Sequence, residues 1–214
     1  MRVVGGATLV ALAAGLVMAF GVAPREMTQG NVQRIMYLHV PSVWVAYLAF
    51  AVVLVASIVY LARGLEGADR LAHASAEFGV LFTGLTIATG SIWGKPTWGI
   101  WWTWDARLTS VSILFVMYLG YLLLRGMIED PDQGARYAAV LGIVAAFNIP
   151  LVHFSVYWWR TLHQPPSLMK PGPGTMPGVI VAALMVNFVA FSLLYVYFVA
   201  KRVRLLRREA EAAA

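Results

Sequence analysis

The residue types best suited to holding a flat, apolar molecule with charged edges crowd into one stretch, Trp93 to Thr109, WGKPTWGIWWTWDARLT. Five of the eight tryptophans fall between Trp93 and Trp104, and Lys95, Asp105 and Arg107 stand among them. Each indole offers a large apolar face and a single N–H donor. An aromatic belt at a membrane surface accounts for one or two tryptophans at a helix end. It does not account for five within twelve residues followed by an aspartate. Asp105 is the more telling acid, because a carboxylate among indoles needs a partner to offset its desolvation. Arg107, an indole N–H or a histidine imidazole could serve, and so could the backbone amides of a following helix, since Asp is a good N-cap.

The elements that must position this stretch are membrane helices. The chain has 214 residues, is 60% hydrophobic and only 12% charged, with a mean hydropathy of +0.73. A soluble domain of this length carries about twice that charge. There is no cysteine, which excludes a disulfide framework, a thiolate metal site and covalent haem attachment through CxxCH. No GxxxxGK[ST] motif occurs, so nucleotide chemistry would belong to a partner chain.

A spanning helix needs about 20 apolar residues. Six runs qualify, at approximately 3–23, 40–62, 71–93, 108–124, 137–159 and 178–200. The expected fold is therefore all-α: one integral membrane domain over 1–214, a bundle of six transmembrane helices with an external tryptophan-rich loop at 93–109. The first run lacks a clear small-residue cleavage site before Pro24 and reads as a retained helix. Pro41 suits the first turn of the second span, which places His39 at its lip. Asn148 and Pro150 predict a kink in the fifth. Five prolines between Arg160 and Gly178 predict a stiff, extended loop.

Six spans put both termini on one side. Lys201, Arg202, Arg204, Arg207 and Arg208 crowd the tail. Such a cluster beside a helix reads as a cytoplasmic topology anchor at the lipid surface, not as a nucleic-acid site. With the tail inside, ten Lys and Arg lie inside against six outside, and the tail supplies the excess. Three segments then share the outer face: the one ending at His39, the tryptophan-rich stretch, and the loop with His163. Imidazole is a usual ligand for haem iron. Two imidazoles can clamp a porphyrin from both faces while tryptophans cover its rim. Arg34, Lys95, Arg107 and Arg160 are candidate propionate partners, with Arg the better bidentate donor. His73 lies near the inner face, one turn from Glu77, and reads as a helix-end polar pair. His153 is expected to face the bundle below the shelf in a packing role.

The tryptophan-rich stretch resembles the "WWD" signature of the haem-handling membrane proteins of cytochrome c maturation. The flanks QRIMYLHVPSVW and SVYWWRTLHQPP are similar to the segments that carry two external histidines in the six-span CcmC branch of that family. The resemblance covers nearly the whole chain. It implies that His39 and His163 are axial ligands of haem b, held without a covalent bond and passed on. It also implies that Trp98, Trp101, Trp102, Trp104, Asp105 and Arg107 belong to the haem-presenting surface. The implied partners are the periplasmic haem chaperone CcmE, the ABC transporter proteins CcmA and CcmB, and the small membrane protein CcmD, in the bacterial inner membrane. The implied role is delivery of haem at the outer face, not catalysis. Two other readings stay open from the residues alone: a b-type electron-transfer cytochrome, and a haem-free channel subunit.

Overall fold

The apolar runs fold into helices longer than the runs themselves. The structure is a computed structural model and describes residues 1–164 and 176–213. Helix α1 is Arg2–Val17 and ends in a π-helical turn, Met18–Val22. A 3-10 turn, Val32–Ile35, leads into α2, Met36–Arg63. There follow α3 (Glu66–Trp98), α4 (Ala106–Met127), α5 (Pro131–Ala146), α6 (Asn148–Trp158) and α7 (Gly178–Ala213). With α5 and α6 as one crossing, six helices among the described residues are long and apolar enough to cross a membrane. Among the described residues the only β pairing is an isolated bridge between Glu26 and Gly30. The protein is an all-helical, multi-pass membrane protein.

The helices overrun the expected spans because their ends are well terminated. Gly64, at φ 63°, closes α2 and donates to the Tyr60 carbonyl at 2.8 Å. This left-handed conformation favours glycine at a helix end. Asp130 caps α5 by accepting from the Asp132 amide at 3.0 Å, with Pro131 in the first position. The loops expected at 63–70 and 125–136 therefore shrink to a few residues. The basic tail is helical too, as the last turns of α7.

Two expectations about prolines need correcting. Pro41 is not in the first turn of α2, which begins at Met36. It sits one turn deeper, and the Tyr37 carbonyl loses its amide partner there. The tryptophan-rich stretch is not a loop from Trp93. Helix α3 runs through Pro96 to Trp98, and the non-helical part is Gly99 to Asp105. Pro96 forfeits one backbone bond in the last turns. The Thr97 hydroxyl donates to the Trp93 carbonyl at 2.8 Å, and the Gly99 amide to the Lys95 carbonyl at 3.0 Å. The break expected at Asn148–Pro150 is present: α5 ends at Ala146, and Asn148 Nδ2 donates across to the Ser110 carbonyl of α4 at 2.8 Å. Most of the proline-rich loop, 165–175, lies outside the described residues.

Helix α2 is the central element and packs against α3, α5 and α7. At its middle Phe50 stacks on Tyr118 of α4, centroids 3.7 Å apart, and Tyr118 Oη donates to the Gly142 carbonyl of α5 at 3.1 Å. Helix α1 lies along α7 and is the least buried crossing. There Asn187 Nδ2 donates to the Gly15 carbonyl at 3.2 Å. The end of the bundle opposite the tryptophans is tied by ions. Arg125 makes a two-pronged pair with Asp69 at 2.6 and 2.7 Å. Glu77 binds Arg202 of α7 at 2.7 Å and lies 3.3 Å from His73. The tail arginine thus also locks α7 to α3.

Candidate functional site

Helix α3 carries the wall on which His39 and His163 rest. Thr86, Thr89, Gly90 and Trp93 repeat at helical spacing, so they share a face. His39, in the opening turns of α2, lies against that face. Its ring meets the Trp93 indole edge-on at 5.7 Å, and its Nδ1 is 3.0 Å from Thr89 Oγ1. A Cβ on Gly90 would stand 3.1 Å from His39 Cε1, so a larger residue there would press the ring back by a few tenths of an ångström. Trp93 is held in turn, since its Nε1 donates to Gln29 Oε1 at 2.9 Å.

His163 approaches from the segment after α6. Its ring packs edge-on against Trp98 at 4.7 Å. Asp105 ties this segment to the tryptophan stretch. One carboxylate oxygen accepts from the Leu108 amide at 2.8 Å and caps α4, and the other accepts from the Leu162 amide at 3.1 Å. Asp105 thus caps α4 and also ties the Leu162 segment to the tryptophan stretch: its two oxygens do different jobs. His163 Nδ1 is 4.0 Å from Asp105, too far for a hydrogen bond. It is buried and meets no hydrogen-bond partner among the described residues. Burial and, after it, the nearby positive charge of Arg107 lower the His163 pKa, and Asp105 opposes them, which leaves it at about 4. The imidazole is neutral at pH 7, so its approach to Asp105 is not an ion pair. A neutral imidazole with a bare nitrogen is the form that binds a metal.

The remaining candidates divide into held and presented groups. Trp98 and Trp102 are half-buried, and Trp102 meets Trp104 edge-on at 5.5 Å. Trp101 and Trp104 are 58% and 75% exposed, an apolar surface that no core packing claims. Arg107 does not pair with Asp105. Its Nη2 donates to the His153 carbonyl at 3.1 Å, and its Nε is buried without a partner among the described residues. Between Gly90, Trp98, Trp102 and Leu162 lies a cavity of about 10 Å³, room for one water. Gly90 borders this cavity and also the His39 ring, so the two histidines flank one small region.

Other expectations are corrected. Arg34 is not a free anion partner: its Nη1 donates to the Ala19 carbonyl and its Nη2 to the Ala23 carbonyl at 3.1 Å. It satisfies groups that the π-turn at the end of α1 leaves open. Lys95 donates to the Gly99 carbonyl at 2.9 Å and so caps α3. His153 is exposed on the outer side of α6 against Phe154 and does not face the bundle. Sequence reasoning passed over Gln29, Thr89 and Gly90. The 86–89–90–93 spacing was readable, but a helix of small and hydroxylated residues is also ordinary membrane packing.

Comparison with known proteins gives the family. A family model described as heme exporter protein C matches residues 1–214. The chain belongs to the CcmC family. It is 45% identical over 204 residues to a heme exporter protein C of Bradyrhizobium diazoefficiens, covering 94% of this chain and 77% of that one. It is 40% identical over 164 residues to the protein of that name in Escherichia coli K12, covering 77% and 67%. A "putative cytochrome c biosynthesis ccmC-like mitochondrial protein" of Arabidopsis thaliana is 36% identical over 186 residues, covering 87% and 70%. The family match spans all six helical crossings and the tryptophan-rich segment.

Proposed function

We propose that this protein binds haem at the outer face of the bacterial inner membrane and delivers it to a periplasmic haem chaperone, CcmE, during cytochrome c maturation. The carrying observation is that two outer histidines reach the tryptophan segment with ring nitrogens left over. His163 Nδ1 has no hydrogen-bond partner among the described residues, and the contact of His39 with Thr89 uses Nδ1, which leaves Nε2 as its other ring nitrogen. Two imidazoles beside exposed indoles are a donor set that suits haem iron and its apolar rim. Arg107, with an unsatisfied Nε beside the site, is the propionate partner best placed to use it. Trp98 and Trp102 form the floor, and Trp101 and Trp104 the presented surface. Haem is cargo in this reading, and the protein is a delivery component without catalytic chemistry of its own. Both termini face the cytoplasm. The proposed partners besides CcmE are CcmA and CcmB, which would supply any nucleotide chemistry, and CcmD.

The placement of the histidines favours delivery over a resident b-type cytochrome. His39 is in the opening turns of a helix and His163 in a connecting segment, whereas a fixed electron-transfer haem is clamped deep in a bundle. The test is haem content and absorption spectrum of the purified protein with His39, His163, His73 or His153 replaced by alanine. Loss of either proposed ligand lowers haem content and moves the spectrum from low toward high spin, and exogenous imidazole restores it. His73→Ala and His153→Ala leave the spectrum in place. Wild-type spectra in both His39→Ala and His163→Ala would overturn the proposal.

A further inference from the structure

The Nδ1 side of His39 faces the hydroxyl of Thr89, and the Thr86 backbone also lies within reach of the ring. Thr89 Oγ1 lies 2.7 Å from the Leu85 carbonyl oxygen and 3.3 Å from that of Thr86. Two oxygens at 2.7 Å require a proton between them. Thr89 has one hydroxyl proton, and the helix carbonyl takes it. Toward His39 Nδ1, 3.0 Å away, Thr89 Oγ1 has only lone pairs to offer. The imidazole must then supply the proton of that contact. Thr89 is 6% exposed, so water does not compete for the site.

We infer that Thr89 is a positioning residue that holds His39 as the Nδ1–H tautomer and leaves Nε2 bare for iron. The inference rests on the reading of His39 as a haem ligand. Gly90 is the second half of the device. Its missing side chain admits His39 Cε1 to within 3.1 Å of where a Cβ would stand, which sets the ring close enough for the Thr89 contact. Trp93, anchored by Gln29, bounds the ring on the same face. Metal-ligating histidines characteristically spend their other N–H on such a partner, and losing it typically costs about 10–100-fold in metal affinity. Without the partner, a neutral imidazole in water favours the Nε2–H form, which blocks the ligating nitrogen.

The test reads the tautomer in haem-free protein, so it does not depend on cargo. The protein is labelled with 15N-histidine and studied above neutral pH, the His39 signals being identified by their loss in His39→Gln. Wild type and Thr89→Ser show His39 protonated at Nδ1. Thr89→Val, which keeps the shape and removes the acceptor, shifts His39 toward the Nε2–H form and binds added haem about 10–100-fold more weakly. Gly90→Ala, which presses on the ring, gives the same shift with Thr89 intact. A wild-type His39 protonated at Nε2, or a Thr89→Val signal identical to wild type, overturns the inference. That outcome is distinct from failure of the haem reading, in which the tautomer is as stated but His39→Ala retains all its haem.

Discussion

Asp105→Asn separates the two tasks of one carboxylate. In the native side chain each oxygen accepts one amide, Leu108 at 2.8 Å and Leu162 at 3.1 Å. Asparagine has one acceptor oxygen, and its NH2 faces the second amide as donor against donor. The shorter bond is the N-cap, and Asn caps as well as Asp does, so the contact that is lost is the one to Leu162. Hydrogen bonds to a charged group contribute about 1.5–3 kcal/mol, or roughly 10- to 150-fold in the population of the docked segment. The carboxyl is only 9% exposed, so solvent screening does not erase this. Amide hydrogen exchange checks it directly. In Asp105→Asn the Leu162 amide loses protection by that factor while Leu108 keeps it. In Asp105→Ala both lose protection, and the lost cap adds about 0.5–2 kcal/mol. Wild-type protection of both amides in Asp105→Asn would refute the assignment of one oxygen to each segment.

Three further outcomes are expected. The His163 imidazole titrates with a midpoint near pH 4. An undocked His163 titrates near 6.5, so docking is strongest above 6.5. It weakens by up to about 3 kcal/mol as pH falls through that window to 4. An NMR titration reads the midpoint, Arg107→Gln raises it by removing a positive neighbour, and a wild-type midpoint near 6.5 contradicts the buried placement. Gly79→Ala puts a Cβ 2.4 Å from the fully buried Phe50 ring, so thermal unfolding in detergent shows a loss of about 1–3 kcal/mol, and an unchanged midpoint argues against the α2–α3 packing. Single cysteines placed in this cysteine-free chain at residues 98 and 163 react with an impermeant reagent in intact cells, and those at 69 and 132 do not. The reverse pattern overturns the proposed orientation.

Fold class was legible because six apolar runs of bilayer length have one economical solution. Helix ends were less so. A run of apolar residues marks the hydrocarbon crossing, but a helix goes on until its backbone is capped. Gly99 and Asp105 end and restart the chain around the tryptophans, not Trp93 and Thr109. The site was legible as residue types, and its wiring was not. Charges near an aromatic cluster invite pairing, yet Arg34 and Lys95 are spent on helix-end carbonyls. Arg107 reaches a backbone carbonyl of α6 and not its sequence neighbour Asp105. Each of these partners lies on another element or on the backbone, and side-chain spacing along the chain carries no information about backbone acceptors.

The two histidines are held in different ways, and the difference suits a cargo that enters and leaves. His39 stands on a 28-residue helix against a wall of Thr89, Gly90 and Trp93, with Nδ1 engaged. Moving it means moving α2 at the centre of the bundle. His163 stands on a connecting segment tied to the tryptophan stretch through the Leu162 amide, and its own Nδ1 is bonded to nothing described. The cavity beside them, lined by Gly90, Trp98, Trp102 and Leu162, has room for one water, so a macrocycle seated there requires one side to give. The ends of α3 and α4 are both capped, by Gly99 with Lys95 and by Asp105. The least costly motion is therefore release of the His163 segment, at about the 1.5–3 kcal/mol of its charge-assisted bond. On this account the two sides fail differently. Asp105→Asn loosens only the His163 side and speeds haem release, while Thr89→Val weakens the His39 bond and lowers the amount of haem bound at equilibrium. Equal release rates in Asp105→Asn and wild type would show that the segment is not the door.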